Sequence, residues 1–142
     1  MKRILLDTNA YVRLLGGDDA VLDALAEAET VFMSVIVLGE LHAGFHGGSR
    51  HEQNLKRLDS FLHKSTVRIL PATSETALIF GELKDRLRRR GRPIPINDVW
   101  IAAQVIETGS VLVTFDVHFQ EIDGVRVWSR STTSSETDVK GP

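Results

Sequence analysis

Cysteine is missing from this 142-residue chain. Its absence excludes disulfide frameworks and thiolate metal centres, and it fits a reducing compartment, so a cytoplasmic protein is expected. No stretch approaches the ~20 consecutive apolar residues of a membrane span. The apolar start Ile4-Leu5-Leu6 meets Asp7 too early to form the core of a signal peptide, so a soluble protein with no membrane contact is expected. An excess of either charge is lacking too: 17 Lys and Arg against 19 Asp and Glu leave a net charge of −2. Proteins that hold nucleic acid through their overall field are basic, so any such contact here must come from a local patch. There is no internal repeat, and His42, His46, His51, His63 and His118 form no convincing acid–base pair of the kind a metal-free nuclease needs.

What is present is a rhythm. Short β-branched runs alternate with longer segments of helical period, the pattern of an α/β domain with a central parallel sheet of four to five strands and helices on both faces. Strands are expected at Arg3–Leu6, Val31–Met33, Val67–Leu70, Ser110–Val113 and Val125–Val127. Helices are expected over Asn9–Leu15, Asp19–Glu29, Val35–Phe45, His51–Lys64, Ser74–Arg90 and from Asn97 to about Thr108, with Asp18 and Ser34 as caps. Leu55, Leu58, Phe61 and Leu62 form one apolar face, and Leu78, Leu83 and Leu87 another. With 42% hydrophobic residues in this length, a single domain over 1–128 accounts for the chain. The Ser/Thr-rich remainder, 129–142, has too few apolar residues to order itself and is expected to be a flexible tail.

Acidic residues fall where this layout places ligands. Asp7 ends the first strand and Asp116 follows Val111–Val113, so both reach the carboxyl edge of the sheet, where open α/β sheets bind. Glu40, in the second turn of a helix, and Asp98, in the first turn of another, converge there if the crossovers are right-handed. Taken singly, Asp98 is explained by a helix dipole, Asp116 by a turn and Glu40 by a solvated helix face. Asp7 and Glu40 are harder to explain so, because Ile4-Leu5-Leu6 and Val35-Ile36-Val37-Leu38 surround them with apolar chain and no Lys or Arg stands beside either. Several carboxylates together repel, so either some remain protonated or a cation neutralises them, and a divalent metal is the simplest answer. An all-oxygen donor set favours Mg²⁺, with Mn²⁺ as the substitute, and points to phosphodiester hydrolysis.

At Leu5-Leu6-Asp7-Thr8-Asn9, Ser34-Val35-Ile36-Val37-Leu38-Gly39-Glu40-Leu41, Ile96-Asn97-Asp98-Val99-Trp100-Ile101-Ala102-Ala103 and Thr114-Phe115-Asp116-Val117-His118-Phe119, the sequence resembles the PIN-domain ribonucleases, and within them the VapC-type toxins of toxin–antitoxin modules. The resemblance runs from Ile4 to Trp128. It implies metal binding and catalysis by Asp7, Glu40, Asp98 and Asp116, with Thr8, Asn9 and Thr114 as polar neighbours that steady carboxylates or bound water. It further implies an RNA substrate, a small VapB-type antitoxin seated in an apolar groove beside the active site, and a homodimer. His118 is read as support for its loop, Phe119 as the anchor of that loop in the core, and Trp100 and Trp128 as core or interface residues.

Arg86, Arg89, Arg90 and Arg92 crowd just before the Asp98 segment and are candidates for guiding RNA phosphates, against the plainer reading of a helix end favoured by its dipole. Other enzyme classes fit less well. A dehalogenase-like phosphatase wants a second Asp where Asn9 stands, and a phosphate-accepting receiver wants a lysine that Val111–Phe119 does not offer. A non-catalytic RNA- or protein-binding module of the same fold is the remaining alternative.

Overall fold

A computed structural model describes residues 1–129, so the expected tail lies outside the described residues apart from its first. Five strands, β1 (Arg3–Leu6), β2 (Thr30–Ser34), β3 (Val67–Leu70), β4 (Val111–Val113) and β5 (Arg126–Val127), form one parallel sheet in the order β3-β2-β1-β4-β5. Ile4 lies opposite Val31 on one side and Val111 on the other. Ile4, Leu5 and Leu6 are fully buried, as are Leu112 and Val113, because a parallel sheet is covered on both faces. Right-handed crossovers put the helices that link β1 to β2 and β2 to β3 on one face and those that link β3 to β4 on the other. The chain leaves β1 in one direction and returns beyond it to β4, so the boundary between these strands is the topological switch point.

The helices are α1 (Thr8–Leu15), α2 (Asp19–Glu27), α3 (Val35–His46), α4 (His51–Leu62), α5 (Ser74–Arg89) and α6 (Ile96–Thr108), with a 3₁₀ turn at Val117–Glu121. Asp18 and Ser34 cap α2 and α3 as expected, accepting from the backbone N–H groups of Val21 and Ile36. α6 begins at Ile96, one residue earlier than the sequence reading: the Pro95 carbonyl accepts from the amides of Asp98 and Val99, which frees the Asn97 side chain for other work. Gly109 closes α6 at φ 68°, a left-handed conformation that glycine adopts without steric cost. The two expected apolar faces differ in outcome. Leu58 and Phe61 are core and Leu55 and Leu62 pack against it, whereas Leu78 is 60% exposed while Leu83 and Leu87 are buried. In α5 the buried stripe passes instead through Thr76, whose hydroxyl donates to Glu107 of α6 and takes part in the capping box with Thr73. Helical period alone does not separate these two sides.

Candidate active site

Each acid reaches the switch point from a different element. Asp7 follows β1 and caps α1; its backbone N–H still donates to the Val113 carbonyl of β4, which holds it between the two central strands. Thr114 and Asp116 follow β4, while Glu40 projects from α3 and Asp98 from the first turn of α6.

Hydrogen bonds tie these groups together. Asp7 is only 5% exposed; one carboxylate oxygen accepts from the Thr8 N–H at 2.9 Å and the other from the Thr114 hydroxyl at 2.7 Å. Thr114 also accepts from the Asp116 N–H, so a single hydroxyl joins two of the acids and does more than cap a turn. The Thr8 hydroxyl donates to one Glu40 oxygen and the Asn97 amide to the other, at 2.5 and 3.1 Å. Asn9 works at one remove: its side-chain oxygen accepts from the Phe115 N–H and holds the loop after β4 against α1, touching none of the carboxylates.

Charge is left uncompensated in this arrangement. Burial pushes the Asp7 carboxyl up to about 6, and the negative charges of Asp98 and Glu40 push the same way against the Thr114 and Thr8 hydrogen bonds. Asp98 is also raised, by burial first and then by the charges of Asp116 and Glu40, while His118 opposes the rise. Among the described residues no Lys or Arg forms an ion pair with any of the four. Clustered oxygen donors that resist ionising together fit a hard divalent cation.

Two partners escaped the sequence reading. Asn97, by its sequence position a helix opener, donates to Glu40. His118 does more than support its loop: its Nε2 lies 2.7 Å from Asp98 and its Nδ1 2.9 Å from Asp116, so the ring bridges two acids 18 residues apart in the chain. These three residues have ligand atoms within 4.8 Å of one another. A neutral imidazole has one donor and one acceptor nitrogen, so engaging both carboxyl groups requires a proton shared among the three. The Asp-x-His spacing was the one available signal. Phe119 is fully buried, as expected of the loop anchor.

The arginines lie outside this cluster. Arg89 pairs with Asp85, Arg90 with Asp123 and Arg92 with Glu121, all as exposed pairs, and Arg86 is exposed. Beyond the far end of α1 is an apolar cavity of about 640 Å³ lined by Leu14, Leu15, Leu22, Leu25 and Phe61, with Lys56, Arg57 and Lys64 also on its wall. Trp100 stacks on Phe80 between α6 and α5, and Trp128 is buried.

Fold and site together define the class: a parallel α/β domain whose switch point carries clustered acids, a donor set suited to hard divalent cations. Residues 4–125 match the model of the PIN domain. Ribonuclease VapC1 of Haemophilus influenzae (strain R2866) is 29% identical over 123 residues, 83% of this chain and 90% of its own. Ribonuclease VapC2 of Rickettsia felis is 35% identical over 96 residues, 68% of this chain and 70% of its own. Among solved structures, VapBC2 from Rickettsia felis bound to a DNA fragment from its promoter aligns with a TM-score of 0.80 at 30% identity, covering 89% of this chain and 97% of that one. VapBC-1 from nontypeable Haemophilus influenzae aligns with the same TM-score, 0.80, at 26% identity over 91% of this chain and 98% of that one. The chain belongs to the PIN domain family and is a member of its VapC group.

Proposed function

We propose that this chain is a Mg²⁺- or Mn²⁺-dependent endoribonuclease acting in the cytoplasm as the toxin of a toxin–antitoxin pair, with Asp7, Glu40, Asp98 and Asp116 as its catalytic and metal-binding residues. One observation carries the reading: a buried carboxylate, Asp7, shares the switch point with Glu40 and Asp98 and, among the described residues, has no Lys or Arg to pair with. The likeness to proteins named as VapC ribonucleases supports RNA as the substrate.

A divalent cation, when bound among these acids, supplies Lewis acidity to the scissile phosphodiester and acidifies the attacking water. The remaining tasks belong to the chain. Thr114 and the Thr8 N–H fix both oxygens of Asp7, and Thr8 and Asn97 fix both of Glu40, so these carboxylates meet the substrate pre-oriented. In-line attack of water breaks the bond from phosphorus to the 3′ oxygen and leaves a 5′-phosphate and a 3′-hydroxyl. Arg86, Arg89, Arg90 and Arg92 draw RNA phosphates toward the site. The exposed ion pairs of Arg89, Arg90 and Arg92 are worth only ~0–1 kcal/mol each, so exchanging a carboxylate for a phosphate costs little. A VapB-type antitoxin takes the apolar cavity between α1, α2 and α4, which lies at the far end of α1 from the acids and not, as the resemblance implied, beside them, and two copies of the chain form a homodimer.

Incubation of the purified protein with cellular RNA tests the assignment. Cleavage is expected in Mg²⁺ or Mn²⁺, to stop in EDTA, to return on adding metal, and to be absent in Asp7→Asn and Asp98→Asn proteins that remain folded. Undiminished cutting in EDTA would sink the metal-dependent mechanism, and RNA binding without cleavage under any divalent ion would leave only a non-catalytic binding module.

A further inference from the structure

Asp98 and Asp116 have no rigid scaffold in common. The first rides on α6; the second precedes a 3₁₀ turn whose first residue, Val117, is 73% exposed. Two like charges held so close repel. The ring stands between them, with its nitrogens 2.7 Å from Asp98 Oδ2 and 2.9 Å from Asp116 Oδ1. The other oxygen of each carboxylate, Asp98 Oδ1 and Asp116 Oδ2, is not used by the imidazole and is available to a cation. Position is enforced from behind as well: His118 packs against Phe119, with ring centroids 5.1 Å apart, and Phe119 is fully buried. Thr114 holds the Asp116 N–H, so the loop is pinned on both sides of the acid.

We propose that His118 is a positioning residue of the cation site, setting the separation and facing of Asp98 and Asp116 without itself entering the coordination sphere. This rests on reading the four acids as a cation site, and it adds to that reading the residue that makes half of the site rigid. Metal ligands are commonly oriented by such outer hydrogen bonds, whose loss weakens binding about 10–100-fold. Both nitrogens of His118 are engaged with carboxylates, which leaves neither aimed at a metal.

The test is a titration of the metal-free full chain with Mn²⁺, followed by the electron paramagnetic resonance of free Mn²⁺, and a parallel calorimetric titration with Mg²⁺. Wild type, His118→Ala, His118→Gln and Asp98→Asn are compared, with a thermal melt of each. His118→Ala is expected to bind both ions about 10–100-fold more weakly at a near-unchanged melting temperature, and His118→Gln, which restores one amide contact, to recover part of the loss. Unchanged affinity in His118→Ala beside a clear loss in Asp98→Asn would overturn the positioning role and leave the cation site intact. A much larger loss for Mn²⁺ than for Mg²⁺ would overturn it in favour of direct nitrogen ligation. No binding by wild type would overturn the cation site itself, and the positioning role with it. If His118→Ala melts early, His118→Gln carries the comparison.

Discussion

Burial makes the Asp7 proton hard to remove, and this ties the site to the stability of the fold. Its carboxyl titrates near 6 in the folded, metal-free chain against 3.8 as the ordinary value, so folded protein binds this proton more tightly than unfolded protein does. The stabilising contribution of protonated Asp7 is therefore complete below about 3.8 and is lost as pH rises through about 6. At ~1.4 kcal/mol for each tenfold change in proton affinity, the loss is on the order of 3 kcal/mol. Asn avoids it, since the Thr114 hydroxyl can turn to accept from the new amide. Asp7→Asn is thus expected to melt higher than wild type in EDTA at pH 8, by on the order of 2 kcal/mol, with the gap closing toward pH 4. Mg²⁺ should raise the wild-type melting temperature and scarcely move that of the variant. A gap independent of pH would refute this account. The acids themselves were legible in sequence because each follows a strand or opens a helix, places that the α/β rhythm fixes to one edge. The contacts of Asn97 with Glu40 and of His118 with Asp98 were not: these partners lie 57 and 20 residues away, and no periodicity connects an irregular loop to a helix face.

Elements show the same divide between local and distant physics. Caps at Asp18 and Ser34, the order of the strands along the chain and most helix limits follow from neighbouring residues, so they could be read directly. The exposure of Leu78 could not, because which side of α5 faces inward is decided by packing on α6. Gln104 is the clearest case of a role hidden from the sequence. It is fully buried within α6, its side-chain oxygen accepts from the Ser34 hydroxyl at 2.5 Å, and its amide donates to the Pro71 carbonyl at 3.3 Å. One side chain thereby joins α6 to the start of α3 and the end of β3, and α6 and α3 are the helices that carry Asp98 and Glu40. Gln104→Leu keeps the apolar volume and strands both partners, at a cost of about 1–3 kcal/mol. The expected result is a lower urea midpoint with an unchanged slope; a midpoint equal to wild type would show that neither bond contributes.

Over the whole molecule, the charge balance of −2 conceals an uneven surface. Acids gather at the switch point, while Lys56, Arg57 and Lys64 border the apolar cavity beyond α1. α1 links the two places: it starts at Thr8, whose hydroxyl holds Glu40, and its eight residues end at Leu15 on the cavity wall, a span of about 12 Å. Beneath that wall Tyr11 packs edge-on against Phe61, with ring centroids 5.4 Å apart, so the floor is already formed. A preformed apolar trough with a basic border suits an amphipathic segment carrying acidic residues, and that is the chemistry we expect of the antitoxin in the proposed pair. Leu22, 44% exposed, is the anchor that can be changed without disturbing the core. Losing a buried leucine contact costs ~1.5–3 kcal/mol, so Leu22→Glu should weaken binding of the cognate antitoxin by about 10–100-fold. Reversal of Lys56 and Arg57 to Glu should weaken it further at low salt and less at high salt. In both variants RNA cleavage by the free protein should match wild type, because the cavity and the acids are at opposite ends of α1. If antitoxin still silences Leu22→Glu at wild-type concentrations, the inhibitor docks elsewhere, and the link from cavity to catalytic edge through α1 has no part in control.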